Sequence, residues 1–375
     1  MLVLVAGLLL TLTGFAVLAI DVGRLFVVRN ELQNVADAAA LAGANCLTKT
    51  SVGGSANCSA STASTLNWDG ALAKATDQIG KNSASNVLIS SSDSGHRVEA
   101  GYWFVGQPND SSPPGPSGGS FSKSYSPVGN YNKPAVKVTV TKATGMNNGP
   151  VFMLTRAMFG GAHIPMSASA VAVLSSPGRV AAGRLIPQAI DKCLYDLYWD
   201  YASGSPKLAN KKKLTVTDAR GNETDIPQTI GKPWVFRFGS AYRYPDCNAG
   251  QWTSFANVNP SSSYAKNLIK NNNPDPLSIG QMIFIQPGTM TNLYSELSDE
   301  YEDLPVNVVL PVVDAKLKKD GLTPIHGFAA FRMTDISTKG SRTYIEGSFT
   351  TGDTSSGSSG FGPFLGSYTP SRLAN

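Results

Sequence analysis

MLVLVAGLLLTLTGFAVLAI, residues 1–20, runs without a break into DVGRLFVVRNELQNVADAAALAGANC, residues 21–46, and this stretch decides how the chain is built. The first twenty positions carry no charge. As a helix rising about 1.5 Å per residue they reach roughly 30 Å, the thickness of a bilayer's hydrocarbon core. Charges begin at Asp21 and continue with Arg24 and Arg29. A cleaved signal peptide has an apolar run of about 7–15 residues, a basic start and a small-x-small site soon after. Here the run is longer and no basic residue opens it. The small residues Ala36 to Ala44 come only after a charged stretch. The expectation is a retained transmembrane anchor over 1–20. Its abrupt apolar start suggests that a basic leader has been lost or mis-called.

The orientation rests on competing signals. Arg24 and Arg29 follow the span and no basic residue precedes it. A strict positive-inside count would place the bulk of the chain in the cytoplasm. The Ser/Asn/Gly-rich body and the even number of cysteines favour the outside, and large domains translocate largely regardless of charge. The bulk is therefore expected to be extracytoplasmic.

Beyond Asp21 the apolar residues Leu25, Val28, Leu32, Val35, Ala39, Ala42 and Cys46 recur at alternating steps of three and four. That is a heptad seam on a helix. No proline interrupts it, and alanine dominates its second half, so helix propensity is high. The anchor (1–20) and its extension (21–46) are predicted to form one helix of roughly 65 Å. Alanine late in the seam permits close approach of another element. That element is either a neighbouring subunit or the protein's own sheet, and both fit at different depths.

The block Asp21-Val-Gly23-Arg24-Leu, then Glu31-Leu32-Gln33-Asn34-Val-Ala-Asp37-Ala38-Ala39-Ala40-Leu41-Ala42-Gly43, resembles the N-terminal segment of the TadG-like proteins of tight-adherence (Tad/Flp) pilus assembly. The resemblance covers about the first 45 residues. It implies a bacterial inner-membrane protein with a large extracytoplasmic part, partnered by the membrane and by other pilus-assembly proteins or pilin-like subunits. Pilin-like relatives set a long helix against a small sheet. Type IV prepilins carry a glutamate early in the mature helix, whereas no acidic residue stands here before Asp21; the resemblance stops short of a main filament subunit. Asp353-Thr-Ser-Ser-Gly lacks the last serine of the Asp-x-Ser-x-Ser metal motif that some relatives carry.

At 375 residues the chain is long enough for two domains beyond the anchor. Charged residues make up only 15% and the net charge of +5 is thinly spread, which disfavours a nucleic-acid partner. Lys211 to Lys213 is the one basic run and reads as a solvated turn. The fold class expected is α+β: the long N-terminal helix, an α+β domain over 47–176, a β-rich module over 177–350 and a flexible tail over 351–375. In the first domain a loop over 47–65 leads to a helix over Trp68–Gly80. Strands are predicted at 87–90, 97–105, 135–141 and 164–174, with a Pro/Gly loop over 106–127 and a short helix over Pro150–Phe159. Pro177-Gly178 marks the boundary. In the second module a helix is predicted over Ile190–Tyr201, followed by strands at 213–217, 234–239, 281–286, 306–313, 325–336 and 342–349.

The four cysteines, Cys46, Cys58, Cys193 and Cys247, form neither a CxxC nor a zinc spacing. In an oxidising compartment the natural pairing is local, Cys46 with Cys58 and Cys193 with Cys247. Sequence alone leaves three connectivities open, and four buried free thiols are the alternative. Catalytic signatures are weak. Gly115-Pro-Ser117-Gly-Gly119 fits GxSxG in letters but lacks the strand and helix of a nucleophile elbow. Asp218, Asn222 and Asp225 sketch a calcium loop without its closing glutamate and read better as a turn. Glu296, Asp299, Glu300, Glu302 and Asp303 form an acidic cluster that reads as a solvated helix face. Tyr195, Tyr198, Trp199 and Tyr201, with Tyr242, Tyr244 and Trp252, suit either a binding surface or a β-rich core. These observations point to a non-catalytic assembly component without cofactor, metal or small-molecule substrate. A surface adhesin is the alternative.

Overall fold

A computed structural model describes the chain apart from residues 52–56, 63–65, 93, 105–119, 125–131, 156–159, 161–163, 219, 240–241, 245–246, 249, 257–260, 287–289, 314–320, 339–342, 352, 355–361 and 375. The architecture is a long apolar N-terminal helix followed by a strand-rich α+β body. Helix α1 runs from Leu2 to Cys46 as one element of 45 residues. None of Leu2–Ile20 is buried, whereas Asp21, Val28, Leu32, Val35, Ala36, Ala39, Ala40, Gly43, Ala44 and Cys46 are.

The buried half of α1 lies on a five-stranded antiparallel sheet. Its order is Arg372–Leu373, Met166–Val173, Asn132–Lys142, His96–Phe104 and Phe121–Ser122. Alternation along the two central strands turns Val136, Val138 and Val140, and Ala168, Ala170 and Ala172, toward the helices. The partner-facing positions are small, so the helix axis can approach the sheet closely. Helix α2, Trp68–Ile79, packs alongside α1. It starts where the Asn67 side chain accepts a hydrogen bond from Gly70 N (3.0 Å), an ordinary N-cap. Gly43 sits at a close approach. A Cβ there would lie 2.9 Å from the Ala71 carbonyl oxygen and 3.0 Å from both the Ala75 methyl and Val136 Cγ1.

A second large sheet, formed by residues after 187, has the order Phe236–Phe238, Tyr344–Phe349, Leu322–Ser337, Val306–Val313, Gln188–Asp191 and Gln251–Trp252, with Met282–Phe284 added to the strand Leu322–Ser337. All pairings are antiparallel except Gln188–Asp191 with Val306–Val313. The helix predicted over Ile190–Tyr201 is shorter than expected, Lys192–Tyr198, because Ile190 and Asp191 complete a strand and Trp199 begins another. Helices Ser262–Asn271 and Thr291–Glu300 pack against each other.

Two expectations are corrected. The Pro150–Phe159 helix does not begin at Pro150: Val151 forms a bridge with Ile164, helix begins only at Leu154, and 156–159 lie outside the described residues. The tail over 351–375 is not free in its described part. Leu365 and Tyr368 are fully buried, and Arg372–Leu373 pairs with the outer edge of Met166–Val173. Gly362 donates its amide to Ser176 O (2.9 Å), and its carbonyl accepts from the buried Lys133 Nζ (2.9 Å). Thr369 N donates to Ser175 O (2.7 Å). The apolar side chains of 363–374 provide the reason, since burying Leu365, Tyr368 and part of Leu373 outweighs the mobility that the preceding Gly/Ser run suggests.

Candidate functional site at the membrane-proximal end of the long helix

The change from exposed to buried along α1 happens at Asp21. Its side chain is 1% exposed although it follows directly on twenty uncharged residues. The carboxylate accepts hydrogen bonds from Leu154 N (2.7 Å), Thr155 N (2.7 Å) and the Thr155 hydroxyl (2.7 Å). Those two amides open a helical turn, where unpaired N–H groups await an acceptor. Burial raises the Asp21 pKa, but the Thr155 hydroxyl, the two amides and the nearby Arg24 outweigh it and hold the carboxyl below its ordinary value. Arg24, one turn on, sits 5.6 Å from the centre of the Phe152 ring.

Further polar residues of the helix are also engaged by the body. Glu31 accepts from Ser85 N (2.6 Å). Gln33 donates to Asp37 (2.8 Å) and to the Ser169 carbonyl (3.1 Å). Between them Leu32 is fully buried. The helix ends at Cys46, which is bonded to Cys58 on the adjoining hairpin Lys49–Ser51/Cys58–Thr62. The second disulfide joins Cys193 on the helix Lys192–Tyr198 to Cys247. All four cysteines are thus paired, and both pairings are local ones.

Residues 1–45 match a family described as "Putative Flp pilus-assembly TadE/G-like". The chain thus carries a TadE/G-like segment, and that segment coincides with α1 up to its penultimate residue. Comparisons with curated proteins and with solved structures give no match. Within the TadE/G-like segment, α1 is long and apolar enough to cross a membrane.

The seam residues fall in two groups. Val28, Leu32, Val35 and Ala39 are buried in the chain's own core, while Leu25 and Ala42 are half-buried at its margin. Of the two partners the seam left open, Val28, Leu32, Val35 and Ala39 take the protein's own sheet and α2. What α1 exposes past the span is the opposite side, with Val22, Phe26 and Val27.

The remaining candidates resolve into structure. Tyr195, Tyr198, Trp199, Tyr244 and Trp252 are buried. Tyr198 stacks on Phe236 at 4.6 Å, and Tyr195 meets Phe349 edge-on at 4.6 Å. These rings are core, and burial pushes the Tyr195 and Tyr198 phenols up. Asp218 caps a hairpin turn by accepting from Arg220 N (2.8 Å) and Asn222 N (2.9 Å), while Asp225 pairs with Lys213 (2.8 Å). Glu296 ties two helices together through Lys266 (2.9 Å) and Lys270 (3.1 Å). Among the described residues, no three His, Cys, Asp or Glu side chains are grouped to hold a metal ion. The GxSxG match at 115–119 lies outside the described residues. The bonds of Asp21, Glu31 and Gln33 to the body were not legible in the sequence. The one available signal was an acidic residue placed immediately after an apolar span.

Proposed function

We propose that this chain is a structural component of a Tad/Flp-type pilus-assembly system, anchored once in the bacterial inner membrane with both modules outside the cytoplasm. The observation that carries the reading is the coincidence of the TadE/G-like segment with a single helix that is unburied and apolar in its first half and built into the body in its second. Two disulfides support an oxidising compartment for the modules. The unburied surface of Leu2–Ile20 is free for lateral packing with other membrane-embedded pilus-assembly proteins.

The test has two arms. A strain lacking this chain is expected to lose surface pili, and the full-length chain, but not one lacking residues 2–20, is expected to restore them. In spheroplasts, protease added from outside is expected to digest the modules. Normal piliation in the deletion strain would sink the assembly role; protection of the modules in intact spheroplasts would sink the orientation.

A further inference from the structure

Three features share one depth along α1. On the body side, the bridge between Val151 and Ile164 brings together Phe152, 58% exposed, and Ile164, 38% exposed. Phe152 lies level with Arg24, because the Arg24 guanidinium is over its ring and Leu154 and Thr155 are bonded to Asp21. On the far side of the helix, Val22, Phe26 (63% exposed) and Val27 continue the apolar surface past Ile20. Seven residues of helix cover about 10 Å. The headgroup layer on each side of a bilayer core is about 5–8 Å thick. Exposed apolar side chains thus continue on both sides of α1 through a layer of that thickness and slightly beyond it, with Arg24 among them. An arginine at this depth has the reach to meet lipid phosphates.

We propose that the corner made by Phe152 and Ile164 is seated in the headgroup layer of the membrane that α1 crosses. The body then rests on the bilayer through two neighbouring points, the helix and this corner, joined by the Asp21 carboxylate. The inference depends on the membrane-anchored reading, because continuity with the span is what selects lipid as the occupant. Amphipathic surfaces of this kind bury their apolar side chains about 5–10 Å into the boundary between headgroups and acyl chains.

All four native cysteines are paired, so one introduced cysteine is the only thiol available for an environment-sensitive fluorophore. The oxidised full-length chain would be labelled separately as Leu10→Cys, Phe152→Cys, Ile164→Cys and Asn34→Cys. Each would be placed in phosphatidylcholine/phosphatidylglycerol nanodiscs, with and without lipids brominated near the upper acyl chain. Leu10 marks the span. Asn34 is exposed and lies thirteen residues past Asp21, about 20 Å along the axis. Bromolipid is expected to quench the probes at 10, 152 and 164 and to spare the probe at 34. Quenching at 10 with none at 152 and 164 overturns the inference and leaves the anchor standing. Probes at 152 and 164 that are shielded from aqueous iodide yet untouched by bromolipid place a protein there and also overturn it. No quenching at 10 removes the anchor and this inference together.

Discussion

The two halves of α1 meet opposite demands with one backbone. Leu2–Ile20 uses large aliphatic side chains and buries none of them, while Asp21–Cys46 buries Val28, Leu32 and Val35 and then a run of small residues, Ala36, Ala39, Ala40, Gly43 and Ala44. Within the bilayer there is no hydrophobic gain from hiding a leucine, so bulk serves to match the lipid. Against a sheet in water, closeness matters more. Alanine and glycine let the helix axis come near the valine rows and place Gly43 in contact with α2. The difference teaches that a heptad pattern identifies a packing face but not its partner, whereas side-chain volume along the face distinguishes lipid from a tight protein neighbour.

The largest effect is expected from breaking the outer half. Leu9→Arg with Leu10→Arg sets two charges mid-span, each costing about 2.5–3.5 kcal/mol of insertion. Carbonate extraction is expected to release the double variant, while the melting temperature of the body is unchanged, because both side chains are exposed to begin with. The inner half responds in reverse. Leu32→Ala is expected to destabilise the body by about 2–5 kcal/mol, read as a lowered denaturation midpoint, with membrane retention intact. A smaller loss, about 1–3 kcal/mol, is expected for Gly43→Val on the same measurement, since the new side chain meets backbone at Ala71. Equal stability of the Gly43 variant and the parent would show that the α1–α2 contact is looser than drawn.

The smallest effect concerns the hinge between the halves. Asp21 is held below its ordinary carboxylate value in the folded chain. The contribution of its ionised form is therefore fully present above the unfolded value of about 4 and is lost as pH falls through the lower, folded one. The amide resonances of Leu154 and Thr155 are expected to shift with acid below that range in the parent and to stay fixed in Asp21→Asn. A transition that persists in the variant would assign the titration to another group.

Much of this is legible in the sequence. The continuous helix followed from an unbroken apolar run joined to a proline-free, alanine-rich seam. The strands expected at 135–141, 306–313 and 325–336 from β-branched alternation or near-continuous apolar runs lie within Asn132–Lys142, Val306–Val313 and Leu322–Ser337. The helix Ser262–Asn271 was missed because its Ser/Asn content resembles a loop. Its signal was Ser261, whose hydroxyl accepts from Tyr264 N (3.3 Å), ahead of Ala265, Leu268 and Ile269. The docking of 363–374 was missed because composition was averaged over a segment whose first half is Gly/Ser and whose second half carries Phe364, Leu365, Tyr368 and Leu373. The clasp at Asp21 needed coordinates, since it joins residues more than a hundred positions apart.

The pairing of Arg372–Leu373 with Met166–Val173 has a temporal meaning. A chain made from its N-terminus commits α1 to the membrane early, and the strands that α1 rests on emerge soon after. The edge of that sheet stays open until residues roughly two hundred positions later arrive to cover it. The sheet under α1 is thus begun first and finished last, and any truncation or stall before residue 372 leaves an intermediate with an unpaired edge, open to aggregation.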